Sequence, residues 1–165
     1  AMGLVVQLLH HPAPAVTQSA MHTIRNLMTV PASKNVFREC KGFPALVPLL
    51  AAPPEVSAIA LASAGFLLSN SLPNIAAFVA HGGLNELPAL LASPNQQLQL
   101  LAAGIVWVVA SASAQFQDSL RLAGVIPPLL QLVSHENPRV QTQVLGAIRD
   151  LCAHNTQAQE EVIAA

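Results

Sequence analysis

Apolar residues return along this chain in short clusters at a fixed interval. The clusters Val5-Val6-Gln7-Leu8-Leu9, Leu46-Val47-Pro48-Leu49-Leu50, Leu87-Pro88-Ala89-Leu90-Leu91 and Leu129-Leu130-Gln131-Leu132-Val133 begin 41, 41 and 42 residues apart. A second series, Ala20 to Leu27, Ala60 to Leu67, Ala102 to Val109 and Val144 to Leu151, keeps step at spacings of 40, 42 and 42. Two segments that hold one period indicate a repeat, and a period near 40 with helical patterning indicates a stack of helical units, each burying its apolar face on the next.

Glycine and proline divide each unit. Gly82, Gly83 and Gly124 stop a short helix. Pro44 and Pro127-Pro128 then fall in the first turn of a second helix, where a missing N–H costs little. Pro53-Pro54, Pro94 and Pro138 separate that helix from a longer third. The pattern predicts a short, a medium and a long helix per unit: a partial repeat over residues 3–40, repeats over 33–71, 73–112 and 115–155, and a terminal helix over 156–165. Leu49 and Ala102 are expected in the seams between units, so that Leu49→Asp or Ala102→Arg would bury an unpaired charge and unfold the array.

With this punctuation, Lys41-Gly42-Phe43-Pro44-Ala45-Leu46-Val47-Pro48-Leu49-Leu50 and Gly124-Val125-Ile126-Pro127-Pro128-Leu129-Leu130-Gln131-Leu132-Val133 resemble the armadillo motif, in which Gly, an apolar residue and Pro precede a Leu-rich helix. Leu145-Gly146-Ala147-Ile148-Arg149-Asp150-Leu151 is similar to the family's third helix. The resemblance covers essentially the whole chain and implies an all-α, right-handed α-solenoid of armadillo repeats: three full three-helix units with a partial one at each end. It also implies a protein-binding module that holds an extended peptide or a partner helix along a concave groove lined by third helices. In the import adaptors and catenins of the family an Asn recurs on each third helix; the matching positions here are Asn26, Phe66, Val108 and Asp150. The adaptors' Trp, four residues earlier, corresponds to His22, Ala62, Gly104 and Gly146. Only Asn26 keeps the pattern, so capture of a basic nuclear-localisation peptide is not expected.

The groove so implied has Phe66, Trp107 and Val108 at its centre, His22, Arg25, Asn26 and Asn70 toward one flank, and Arg139, Arg149 and Asp150 toward the other. Aromatic anchors within a polar rim are the usual make-up of a binding patch, and an amphipathic helix could lay its apolar face there. The alternative is that Phe66 and Trp107 tilt into the core between units.

Composition narrows the partners. Of 165 residues, 53% are hydrophobic and only 9% charged, against about 25% in ordinary soluble domains. That balance favours a large core, and also surplus apolar surface that a second copy or a flanking domain could cover. Seven basic and eight acidic residues nearly cancel and no basic run exists, so nucleic acid is not an expected partner. The apolar stretch from Leu98 to Ala110 contains Gln99 and Gly104 and is shorter than the ~20 residues a membrane span needs, so direct membrane insertion is not expected. Cys40 and Cys152 lie far apart and read as packing residues of a reducing, intracellular and cytoplasmic compartment. Ala1-Met2-Gly3 reads as a cloning remnant, and the chain as a piece of a longer array or one whose ends dock on something.

No catalytic constellation is apparent. Asp118, Glu136, Asp150 and Glu160-Glu161 are scattered over different helices, and Ser111 and Ser113 read as helix ends. The histidines, including His10-His11, His81, His135 and His154, fall near helix ends without the thiolate or carboxylate company of a metal site. The expectation is therefore a non-enzymatic adaptor without cofactor or metal, with a self-packing assembly module as the alternative.

Overall fold

The computed structural model describes all residues from Ala1 to Ala165 as twelve α-helices without a strand. They are α1 (Met2–Gln7), α2 (Pro14–Leu27), α3 (Pro31–Glu39), α4 (Gly42–Leu46), α5 (Pro54–Leu68), α6 (Leu72–Ala80), α7 (Leu87–Leu91), α8 (Gln96–Ala110), α9 (Ala114–Leu122), α10 (Ile126–Gln131), α11 (Pro138–Cys152) and α12 (Thr156–Ala164). Short 3₁₀ turns extend α1 over Leu8–His10 and α4 over Val47–Ala51. The helices form two compact units, Ala1–Gly83 with α1 to α6 and Leu84–Ala165 with α7 to α12.

Helix boundaries follow local chemistry. Pro14, Pro31, Pro54 and Pro138 each occupy the first helical position, where the ring pre-sets φ and no N–H is missed. Asn95, Ser113, Asn137 and Asn155 cap α8, α9, α11 and α12 by accepting hydrogen bonds from first-turn amides. The short helices end in a recurrent left-handed turn. Gly82 (φ 80°) and Gly124 (φ 83°) adopt it without strain. After Gly82, the Gly83 amide reaches the Phe78 carbonyl and the Gly82 amide that of Val79, which closes a Schellman motif. At the matching point 41 residues before Gly82 stands Lys41, left-handed at φ 57° although it carries a Cβ.

The residue after this turn is coupled to the ring beneath it. A Cβ on Gly42 would lie 2.4 Å from the Phe37 ring, and one on Gly83 would lie 2.5 Å from the Phe78 ring. After Gly124, Val125 takes the glycine's place, and there the aromatic residue is replaced by the slimmer Leu120. Phe37, Phe43 and Phe78 are fully buried and meet edge to face, with centroids 5.4 Å and 6.3 Å apart. They form the centre of the first unit's core, together with Ile24, Leu46, Leu50, Leu61 and Leu67. The second unit's core is aliphatic, built on Leu87, Leu91, Ile105, Val109, Leu129, Val140, Val144 and Leu151.

Ala102 is fully buried, as its place in the apolar series requires. Leu49 is not: neighbouring residues point to different sides of the 3₁₀ turn, and Leu50 takes the inward direction while Leu49 stays half-exposed. The seam residue is therefore Leu50.

A polar device recurs where each medium helix hands over to a long one. Thr17 and Ser57 donate their hydroxyl hydrogens to the His11 and Leu50 carbonyls at 3.0 and 2.8 Å. Gln99 and Gln141 donate amide hydrogens to the Ser93 and Val133 carbonyls at 2.8 and 3.1 Å. These four residues hold one register position, spaced 40, 42 and 42 apart, and satisfy carbonyls that the ending helix leaves open. At the other end of the long helices, side-chain amides of Asn74, Gln117 and Gln159 do the same for Leu67, Ala110 and Cys152, each seven residues back.

Candidate binding faces

The long helices carry most of the residues expected to bind, and each unit presents its own pair. In the first unit α2 packs against α5. His22 and Asn26, one turn apart on α2, are exposed, and Arg25 between them is half-buried. On α5, Phe66 is 49% exposed, whereas Phe37, Phe43 and Phe78 are fully buried. The alternative of a core role therefore does not hold for Phe66. Asn70 is exposed just past the end of α5 and takes a left-handed conformation (φ 54°), which its short side chain tolerates.

In the second unit α11 packs against α8, and their contact holds the chain's single tryptophan. Trp107 lies across Gly146, where a Cβ would come within 2.8 Å of the ring. Its indole N–H donates to Asp150 Oδ2 at 2.8 Å. Asp150 Oδ1 accepts from Arg149 Nε at 2.6 Å, and the Arg149 guanidinium carbon lies 5.6 Å from the Trp107 ring centroid. The three side chains thus close a ring of contacts in which Trp107 is half-buried, filling the groove between two helices while its polar edge is satisfied. The Arg149 hydrogen bond, helped by the Trp107 N–H, holds the Asp150 carboxyl below the usual carboxylate range against the opposing effect of partial burial. Arg149 is raised in turn by Asp150.

Val108 is half-buried beside Trp107. Arg139 is exposed but stands apart, because ten residues of helix place it about 15 Å along α11 from Arg149. Leu145, which the sequence pattern did not single out, lies on α11 one turn before Arg149 and on the same side, and is half-exposed. Its spacing of four from Arg149 was the available signal, but the motif Leu145–Leu151 reads first as a buried helix.

Elsewhere the candidates have local roles. Ser111 ends α8 and Ser113 caps α9. His11 and His135 accept backbone N–H bonds through Nδ1 in the turns before α2 and α11. Cys40 and Cys152 are unpaired and half-buried, and burial pushes the Cys152 thiol up. No three His, Cys, Asp or Glu side chains converge on one point. No helix is long and apolar enough to cross a membrane.

Residues 122–153 match the Armadillo/beta-catenin-like repeat model. The whole chain has the fold of an armadillo-repeat solenoid, as its likeness to solved structures demonstrates. A designed armadillo repeat protein, YIII(Dq)4CqI, superposes with a TM-score of 0.93 at 22% identity, over 99% of this chain and 70% of that one. Another, crystallised in complex with the peptide (KR)4, gives 0.93 at 22% identity over 99% and 69%. An engineered protein gives 0.93 at 24% identity over 99% of this chain, which spans only 40% of the other. No curated protein sequence matches the chain.

Proposed function

We propose that this chain is a non-catalytic protein-binding module that takes a peptide or helix of a partner protein on the faces of its long helices. The observation that carries the reading is Phe66, a phenylalanine 49% exposed on a long helix that is otherwise well packed. A large aromatic left in water costs free energy that a partner's apolar side chain recovers, and such anchors dominate binding energetics. The armadillo fold supports the reading, as does the peptide complex of one of its structural neighbours. Leu145 and Arg149 on α11 offer the second unit's anchor and polar rim.

The test is affinity capture from cell extract with the parent chain, Phe66→Glu and Leu145→Glu, with folding checked by circular dichroism. Trp107 is left in place, since its loss would also open the α8–α11 contact. Proteins retained by the parent and lost by either variant are the expected result. Identical capture by all three would overturn the reading.

One observation favours an assembly role instead. Leu122 and Ile163, at the C-terminal ends of α9 and α12, are 71% and 84% exposed. Those helices pack together and Arg121 of one bonds Glu161 of the other, so the ends that carry the two exposed side chains are neighbours on the second unit. Sedimentation of the parent against Leu122→Glu distinguishes this reading: a concentration-dependent mass abolished by the substitution would favour it.

A further inference from the structure

The two units differ in how their charges are used. Every ion pair of the chain lies in the second unit: Arg121 with Asp118 and Glu161, and Arg149 with Asp150. The first unit has four basic residues, Arg25, Lys34, Arg38 and Lys41, against two acidic ones, Glu39 and Glu55, and makes no ion pair. Its cations meet only neutral oxygens or none. Lys34 Nζ donates to the Ser69 carbonyl at 2.6 Å, at the C-terminal end of α5. Arg38 donates to the Asn35 and Asn74 side chains. The Arg25 side chain, in the last turn of α2, makes neither a hydrogen bond nor an ion pair. Glu55 stands in the first turn of α5, eleven residues or about 16 Å from Phe66.

The uncompensated cations coincide with exposed apolar residues. Phe66 is in the last turn of α5, Leu72 opens the helix that follows, and Val30 is the residue just before α3 in the turn after α2; all three are exposed. One end of the packed α2–α5 pair therefore carries an aromatic and two aliphatic side chains, the exposed amides of Asn26 and Asn70, and the cations Arg25 and Lys34. The carbonyls at the ends of α2 and α5 lend that end some negative potential, but a side-chain cation outweighs a helix terminus, whose field amounts to about half a charge.

We infer that the C-terminal end of the α2–α5 pair docks an acidic amphipathic segment of a partner protein, with an apolar side chain on Phe66 and carboxylates toward Arg25 and Lys34. The inference rests on the binding-module reading and specifies the partner's chemistry. It sets this face apart from the designed relative that holds the basic peptide (KR)4. A basic peptide would meet the like charge of Arg25 and Lys34 here, while Glu55 stands at the far end of α5 and the unpaired Glu39 ends α3, five residues or about 7.5 Å along the helix from Lys34; such a mismatch excludes partners more effectively than it weakens them.

A random peptide library displayed on phage and selected on the full chain provides the test, whatever the partner's sequence. Recovered peptides are then titrated by fluorescence anisotropy against the parent, Phe66→Ala, Arg25→Glu and, as a charge control on the other unit, Gln131→Glu, which alters an exposed residue of α10. The expected pool is rich in Asp and Glu beside an apolar residue. Its peptides should lose about tenfold in affinity with Phe66→Ala and Arg25→Glu, weaken with added salt, and bind Gln131→Glu as they bind the parent. Conservative changes, Phe66→Leu and Arg25→Gln, should give intermediate losses and guard against a folding artefact. A pool rich in Lys and Arg would overturn the inference and leave the module reading standing, as would acidic peptides indifferent to both substitutions. No enrichment at all would overturn both. A concentration-dependent mass that disappears in Phe66→Ala would overturn the inference in favour of a second copy as the occupant.

Discussion

At the scale of single residues, the joints after the short helices combine two constraints, one on backbone and one on packing. Lys41 accepts a left-handed conformation that Gly82 and Gly124 adopt freely. Lys41→Gly should therefore stabilise the chain by about 1 kcal/mol, offset in part by the entropy a glycine adds to the unfolded chain. Thermal unfolding should move up by about 2–4 °C, and a downward shift would contradict the strain. The packing constraint is sharper. Gly83→Val would drive methyl groups into the Phe78 ring and should cost about 2–3 kcal/mol. The pair Phe78→Leu with Gly83→Val copies Leu120 and Val125 and should be less destabilised than the two single effects combined. Denaturant titrations of the four proteins in this cycle measure the coupling; strict additivity would show that ring and glycine do not constrain one another.

At the scale of helices, the period and its punctuation were legible because helix starts depend on local chemistry. Pro54 and Pro138 open α5 and α11 where the proline pattern places them, and Gly82 and Gly124 end the short helices. Facing was not legible to the same degree. Leu49 and Leu50 are equally apolar, and only packing decides which points inward. The register position shared by Thr17, Ser57, Gln99 and Gln141 was hidden because hydroxyl and amide side chains perform one task under different residue names. Trp107 was ambiguous for a further reason: its surroundings, Gly146, Arg149 and Asp150, come from a helix some forty residues away. That contact has a measurable pH signature. The folded Asp150 carboxyl titrates below its unfolded value, so its contribution is present above the unfolded value and is lost as pH falls through the folded one. Trp107 fluorescence should accordingly change only below the ordinary carboxylate range, before or together with acid unfolding. Asp150→Asn, which retains an oxygen for the indole N–H but cannot titrate, should abolish that step. A wild-type-like transition in this variant would place the titrating group elsewhere.

At the scale of the whole molecule, low charge dominates solution behaviour. The net charge is −1 at pH 7 and the isoelectric point is near 6.6, so electrostatic repulsion between copies is close to its minimum at neutrality. Light scattering at fixed concentration should peak around that pH and fall on both sides, since the exposed apolar edges at Phe66 and at Leu122 with Ile163 are then least opposed. A flat profile from acid to alkali would mean that these edges do not drive association. The ring-and-glycine joint also bears on ancestry and engineering. Repeat arrays diversify by exchanging segments, and a crossover between positions 78 and 83 would join the bulky ring of one unit to the branched side chain that Val125 represents in another. Chimaeras cut there should be selected against, whereas cuts in the turns before the long helices transfer ring and glycine together, making those turns the natural boundaries for swapping repeats.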